Sequence, residues 1–118
     1  MDEKTFKART KKLAVAIIRK ADKLPRSLAT DIIGKQLVRS GTSIGANYRA
    51  ACRAKSTADM INKMKIVEEE ADETGYWLEL LVEAELIHQN QIADIAKETD
   101  EILAMTVASI KTLRNRKS

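Results

Sequence analysis

The residues that most invite a chemical reading lie in QLVRSGTSIGANYRAA, Gln36 to Ala51. Gly41 and Gly45 stand there among Ser40, Thr42, Ser43 and Asn47, the residue types of a phosphate-cradling loop. Such a loop needs GxxxxGK[ST] behind a strand, and GTSIG has neither the spacing nor the strand. A dinucleotide fingerprint fails as well. The carboxylates of EEEADE, Glu68 to Glu73, raise a di-metal reading instead. That chemistry wants two Glu-x-x-His pairs and inward glutamates on the two other helices of a bundle. His88 is the one histidine, set at a helix end, and Asp31 is the one acid between residues 27 and 55. The ligand count therefore predicts no metal and no cofactor. Cys52 has Arg49, Arg53 and Lys55 nearby, bases that lower a thiol pKa, yet it reads better as a small filler. Ser40 and Ser43 have no base at helical spacing. No catalytic constellation is visible, and the chain is expected not to be an enzyme.

These residues sit in a chain of 118 with 44% hydrophobic and 32% charged side chains. That leaves room for one domain, residues 1–118, with one core. With only 3% aromatics, the core must be aliphatic and alanine-based. A single cysteine excludes an internal disulfide framework and fits a reducing compartment. No run is apolar enough for a signal peptide or membrane span, so a cytoplasmic location is expected.

Helical periodicity dominates. Phe6, Leu13, Ile17, Ala21 and Leu24 form a stripe that Pro25, the only proline, brings to a stop. Ser27 is placed to cap a second helix with the stripe Ile33, Leu37, Ser40, Ile44, Asn47 or Tyr48, and Ala51. Ser56 with Asp59 makes a capping-box-like start for a third, striped by Met60, Met64, Val67, Ala71, Thr74, Leu78 and Leu81. After a break at HQNQ, a fourth carries Ile92, Ile95, Thr99, Ile102, Thr106, Ile110 and Leu113. The prediction is all-α: an antiparallel up-down-up-down four-helix bundle, with helices near 3–24, 27–55, 57–88 and 91–114.

The stripe runs unbroken through the glycines, so that stretch is a helix. Gly41 and Gly45, one turn apart, shave a groove for a neighbouring helix, which must offset about 0.5–1 kcal/mol of lost helix stability at each. Antiparallel pairing about Lys55–Ser56 sets Arg39 level with Glu73, Ser43 with Glu69 and Asn47 with Lys65. The expectation is a partly buried polar seam that fixes the register of helices two and three.

Charge is segregated. Residues 1–26 carry nine bases and three acids, residues 27–55 five and one, and residues 56–88 two and nine. Lys4, Lys7, Arg9, Lys11 and Lys12 crowd the first helix, Arg49, Arg53 and Lys55 approach the second turn, and Arg114, Arg116 and Lys117 close the chain. The topology brings these clusters to one end, a candidate phosphate-backbone surface. With so few aromatics to stack bases, binding there is expected to be salt-sensitive and weakly sequence-selective. Acidic helix three is also suited to pair with basic helices one and two across subunits.

QLVRSGTSIGANYRAA together with ADMINKMKIVEEEADETGYWLELL resembles a bacterial four-helix-bundle family. It includes proteins encoded in intervening sequences of 23S rRNA genes and the accessory variability determinant of diversity-generating retroelements. Matching positions include Gln36, Arg39, Ser43, Gly45 and Asn47, then Lys63, Glu70, Glu73, Tyr76 and Trp77. Glu69 and Gly75 depart from the pattern, where a basic and a larger residue are common. The resemblance implies a homopentameric barrel with a basic surface for RNA or DNA, and a reverse-transcriptase partner in retroelement members. Tyr76 and Trp77 are then candidate interface residues, although core packing equally accounts for Trp77. The expected function is a non-catalytic nucleic-acid-binding accessory protein; the alternative is a protein-interaction scaffold.

Overall fold

The computed structural model describes residues 2–117, apart from the side chain of Lys117. Four helices follow in order: α1 (Glu3–Asp22), α2 (Leu28–Cys52), α3 (Thr57–Glu83) and α4 (Ala93–Lys117), with a short 3-10 turn at Gln89–Gln91 before α4. They form an antiparallel up-down-up-down bundle, elongated at 49 × 22 × 20 Å.

Local chemistry sets each start. Asp2 accepts hydrogen bonds from the Thr5 amide and hydroxyl at 3.0 and 2.7 Å, capping α1. Ser27 accepts from the Thr30 amide at 3.1 Å and Ser56 from the Asp59 amide at 3.0 Å. Asp59 in turn accepts the Lys55 amide at 3.1 Å, so the α2–α3 turn is held from both sides.

The helix ends differ from the sequence expectation. α2 closes at Cys52 and α3 at Glu83, short of 55 and 88. At the α3 end, Glu85 adopts φ 60°, the Leu86 amide reaches back to the Leu81 carbonyl at 3.0 Å, and the Glu85 amide bonds that of Val82 at 3.0 Å. This is a Schellman closure, which ends a helix whatever the apolar stripe beyond it says.

The core is a column of side chains on the predicted stripes: Phe6, Ile17, Leu37, Ile44, Met64, Leu78, Leu81 and Ile102 are sealed from solvent. Phe6 of α1 meets Tyr48 of α2 edge-on at 4.5 Å. The buried hydroxyls of Thr74, Thr99 and Thr106 satisfy themselves on carbonyls one turn back, at 2.7–2.8 Å.

The glycines face α1. A Cβ at Gly41 would lie 2.5 Å from Ile17 Cδ1, and one at Gly45 would lie 3.1 Å from Thr10 Oγ1. Only hydrogen fits at Gly41 unless Ile17 moves. The close approach of α1 and α2 is what offsets the helix-propensity cost.

Candidate nucleic-acid interface

In this topology the start of α1, the α2–α3 turn and the end of α4 share one end of the bundle. A surface cleft there is lined by Glu3, Tyr48, Met60, Thr112 and Arg116, one or more from each helix. The sequence-predicted cations Lys4, Arg53, Lys55, Arg114 and Arg116 are exposed at that end. Lys12 is also exposed, two turns along α1, while the side chain of Lys117 lies outside the described residues.

The acids at this end are taken up locally. Asp2 caps α1, and its carboxyl is held below the usual range chiefly by the Thr5 hydroxyl. Glu3 meets Lys7 at 3.6 Å. Asp59 meets Lys63 at 2.6 Å, a hydrogen bond that lowers its pKa. Among the described residues, Lys4, Lys11, Lys12, Arg49 and Arg53 have no carboxylate within 4.0 Å.

Two other arginines have a different task. Arg9 of α1 grips α4: its Nε and Nη2 donate to the two oxygens of Glu98 at 3.0 and 2.6 Å, and Nη1 donates to Met105 Sδ at 3.1 Å. The Glu98 hydrogen bond raises its pKa, so the guanidinium stays charged. Arg39 of α2 donates to Gln36 Oε1 at 2.9 Å, to Glu70 at 3.1 Å and to Glu73. These clamps tie α1 to α4 and α2 to the acidic α3, and remove both arginines from any ligand-binding set.

The expected seam is thus assembled in part. Arg39 and Glu73 meet, but Arg39 remains 46% exposed. Ser43 and Glu69 make no mutual bond; Asn47 turns back to donate to the Ser43 carbonyl at 2.8 Å, and Glu69 faces solvent. The buried polar contact between the two helices is one step aside, Thr74 Oγ1 to Ser40 Oγ at 2.9 Å. Sequence reasoning placed both residues on core stripes but did not pair them.

On α3, Tyr76 is 53% exposed while Trp77 is half-buried against the core, with the rings 5.2 Å apart. Trp77 Nε1 is enclosed with no acceptor among the described residues. Burial pushes the Cys52 thiol up, the opposite of the activation its basic neighbours would give. Among the described residues no three of His, Cys, Asp and Glu gather as a metal site, and no helix is long and apolar enough to cross a membrane.

The geometry defines a helical bundle with a cation-rich end and flank. Residues 4–108 match the family model of the 23S rRNA-intervening sequence protein, and the chain belongs to that family. It is also similar to a protein of unknown function from the S23 ribosomal protein family of Bacteroides thetaiotaomicron VPI-5482, known from a 1.70 Å crystal structure. The two share 40% identity and a TM-score of 0.86, over 94% of this chain and 99% of that one. A search of curated proteins finds no match.

Proposed function

We propose that this protein is a non-catalytic, cytoplasmic accessory factor that binds structured nucleic acid through its basic surface. The observation that carries the reading is the set of exposed cations at one end of the bundle, whose nearby acids are already spent on caps and local pairs. Such a surface gains affinity by displacing counterions from phosphates. The family's link to intervening sequences within rRNA favours RNA as the ligand. Self-association as a homopentamer, which the family resemblance implies, would use α3, where Tyr76 offers an exposed aromatic beside the half-buried Trp77.

The test is fluorescence anisotropy of a labelled RNA hairpin titrated with protein at about 50 and about 200 mM salt. The reading expects binding that weakens steeply with salt, by roughly a thousandfold or more if six phosphates are engaged. A second reading, a protein-interaction scaffold, is favoured by the exposed Tyr76. Absence of binding at the lower salt would give that reading the field.

A further inference from the structure

The basic end does not exhaust the cationic surface. Along the flank between α1 and α2 runs a groove of about 560 Å³, walled by Lys7, Lys11 and Ala14 on one side and Gly45, Ala46 and Arg49 on the other. The helices that build it carry no Asp or Glu from Lys4 to Ala21, nor from Ile32 to Ala58. Arg9 and Arg39, the cations of these helices that turn toward α4 and α3, are neutralised there. Of the cations that remain, Lys7, Lys11 and Arg49 border this groove.

The shape follows from the packing. Close contact at Gly45–Thr10 sets the two helices near each other, and alanines beyond the contact leave a shallow floor. A ligand backbone can approach the helices while longer cationic stems reach around it. Lys7 and Lys11 stand about 6 Å apart along the helix axis, one turn. Arg49 comes from the antiparallel neighbour. Lys7 is shared with Glu3 at 3.6 Å, but both side chains are exposed, 40% and 59%, so that pair is weak and yields to a phosphate.

The groove also shows what it does not read. Its lining has no aromatic residue, and Phe6 and Tyr48 of these helices are in the core. Nothing there stacks an unpaired base. A cationic, aromatic-free groove suits a regular phosphodiester backbone, the outer edge of a duplex.

We propose that the α1–α2 groove seats the backbone of a nucleic-acid duplex along the flank of the bundle, with Lys7, Lys11 and Arg49 each holding a phosphate. This rests on the nucleic-acid-binding reading above, and adds where the strand lies and that it is paired. The test compares two charge-removal variants of the full chain, K7Q/K11Q/R49Q on the flank and K55Q/R114Q/R116Q on the end. The probes are a labelled RNA duplex, a DNA duplex of the same sequence, and either strand alone, each titrated across salt. Three lost phosphate contacts reduce the magnitude of the salt slope on a duplex by about 2.7 for the flank variant. Ala46→Leu, at an exposed floor position, is expected to weaken duplex binding with the slope retained. An unchanged slope in the flank variant, with loss in the end variant, overturns the flank site and leaves the nucleic-acid reading standing. Tighter binding of single strands than of either duplex overturns the duplex assignment. No binding of any probe by the unaltered protein overturns both readings together, and the wild-type titration shows this before any variant is made.

Discussion

The two hairpins of the bundle reach the same fold by different means. In α1–α2, glycine lets the helices touch: a Cβ on Gly41 would collide with Ile17, and the outer face is free of carboxylates over most of both helices. In α3–α4, Gly75 has no neighbour within 4 Å of where its Cβ would stand, and acids such as Glu79, Glu83 and Asp100 line the groove between the helices. The ion pairs between distant parts of the chain then run from one hairpin to the other, from Arg9 to Glu98 and Glu101 and from Arg39 to Glu70 and Glu73. Opposite charge on the two hairpins thus serves their docking on the inner faces. On the outer face of α1–α2 the same segregation leaves Lys11 and Arg49 with no carboxylate within 4.0 Å and Lys7 with only the exposed Glu3, a surplus that the proposed polyanion would meet.

The sharpest way to break this comparison is at its glycines. Gly41→Ala is expected to destabilise by about 1–3 kcal/mol through overpacking against Ile17, despite alanine's better helix propensity. Urea unfolding measures it, and the cause is checked by a double-mutant cycle with Ile17→Val, which removes the methyl nearest the new Cβ. An unaltered midpoint in Gly41→Ala, or additive behaviour in the cycle, would mean the helices are not in contact there. Gly75→Ala has the opposite sign. Its Cβ meets open space, so the substitution should stabilise by about 0.5–1 kcal/mol, seen as a raised thermal midpoint. Destabilisation at Gly75 would show that something else, such as a second subunit, comes close to this face.

The same contrast explains what the sequence made legible. Apolar stripes on all four helices foretold the core, because a three-four period admits one buried face. Ser27 and Ser56 announced their caps by residue type alone. The end of α3 was not legible. Glycine ordinarily marks the left-handed closing position, and Glu85 occupies it here with no proline nearby, so the stripe through Leu86 and Ile87 reads as further helix. The cationic end could be inferred from topology. The flank groove depends instead on how Ile17 and Thr10 nest against Gly41 and Gly45, a rotation and offset of two helices that no single helical period encodes. For the same reason the sequence alone does not separate Arg9 from the lysines around it, although its azimuth points it at Glu98.

The smallest expected effect concerns the clamps themselves. Arg39→Ala removes hydrogen bonds to Gln36, Glu70 and Glu73, but the side chain is 46% exposed, and half-exposed ion pairs contribute roughly 0.2–1 kcal/mol. The loss should shrink further in about 1 M salt, where charges at a surface are screened within about 3 Å. Arg9→Ala supplies the internal comparison, since Arg9 is 28% exposed and bonds Glu98 through two nitrogens. Removing it should cost more than removing Arg39 and should depend less on salt. Chemical denaturation of both variants at two ionic strengths separates these outcomes. Equal losses that vanish together in salt would reduce both clamps to surface charge. Register between the hairpins would then rest on the Ser40–Thr74 hydroxyl pair and the apolar column around it.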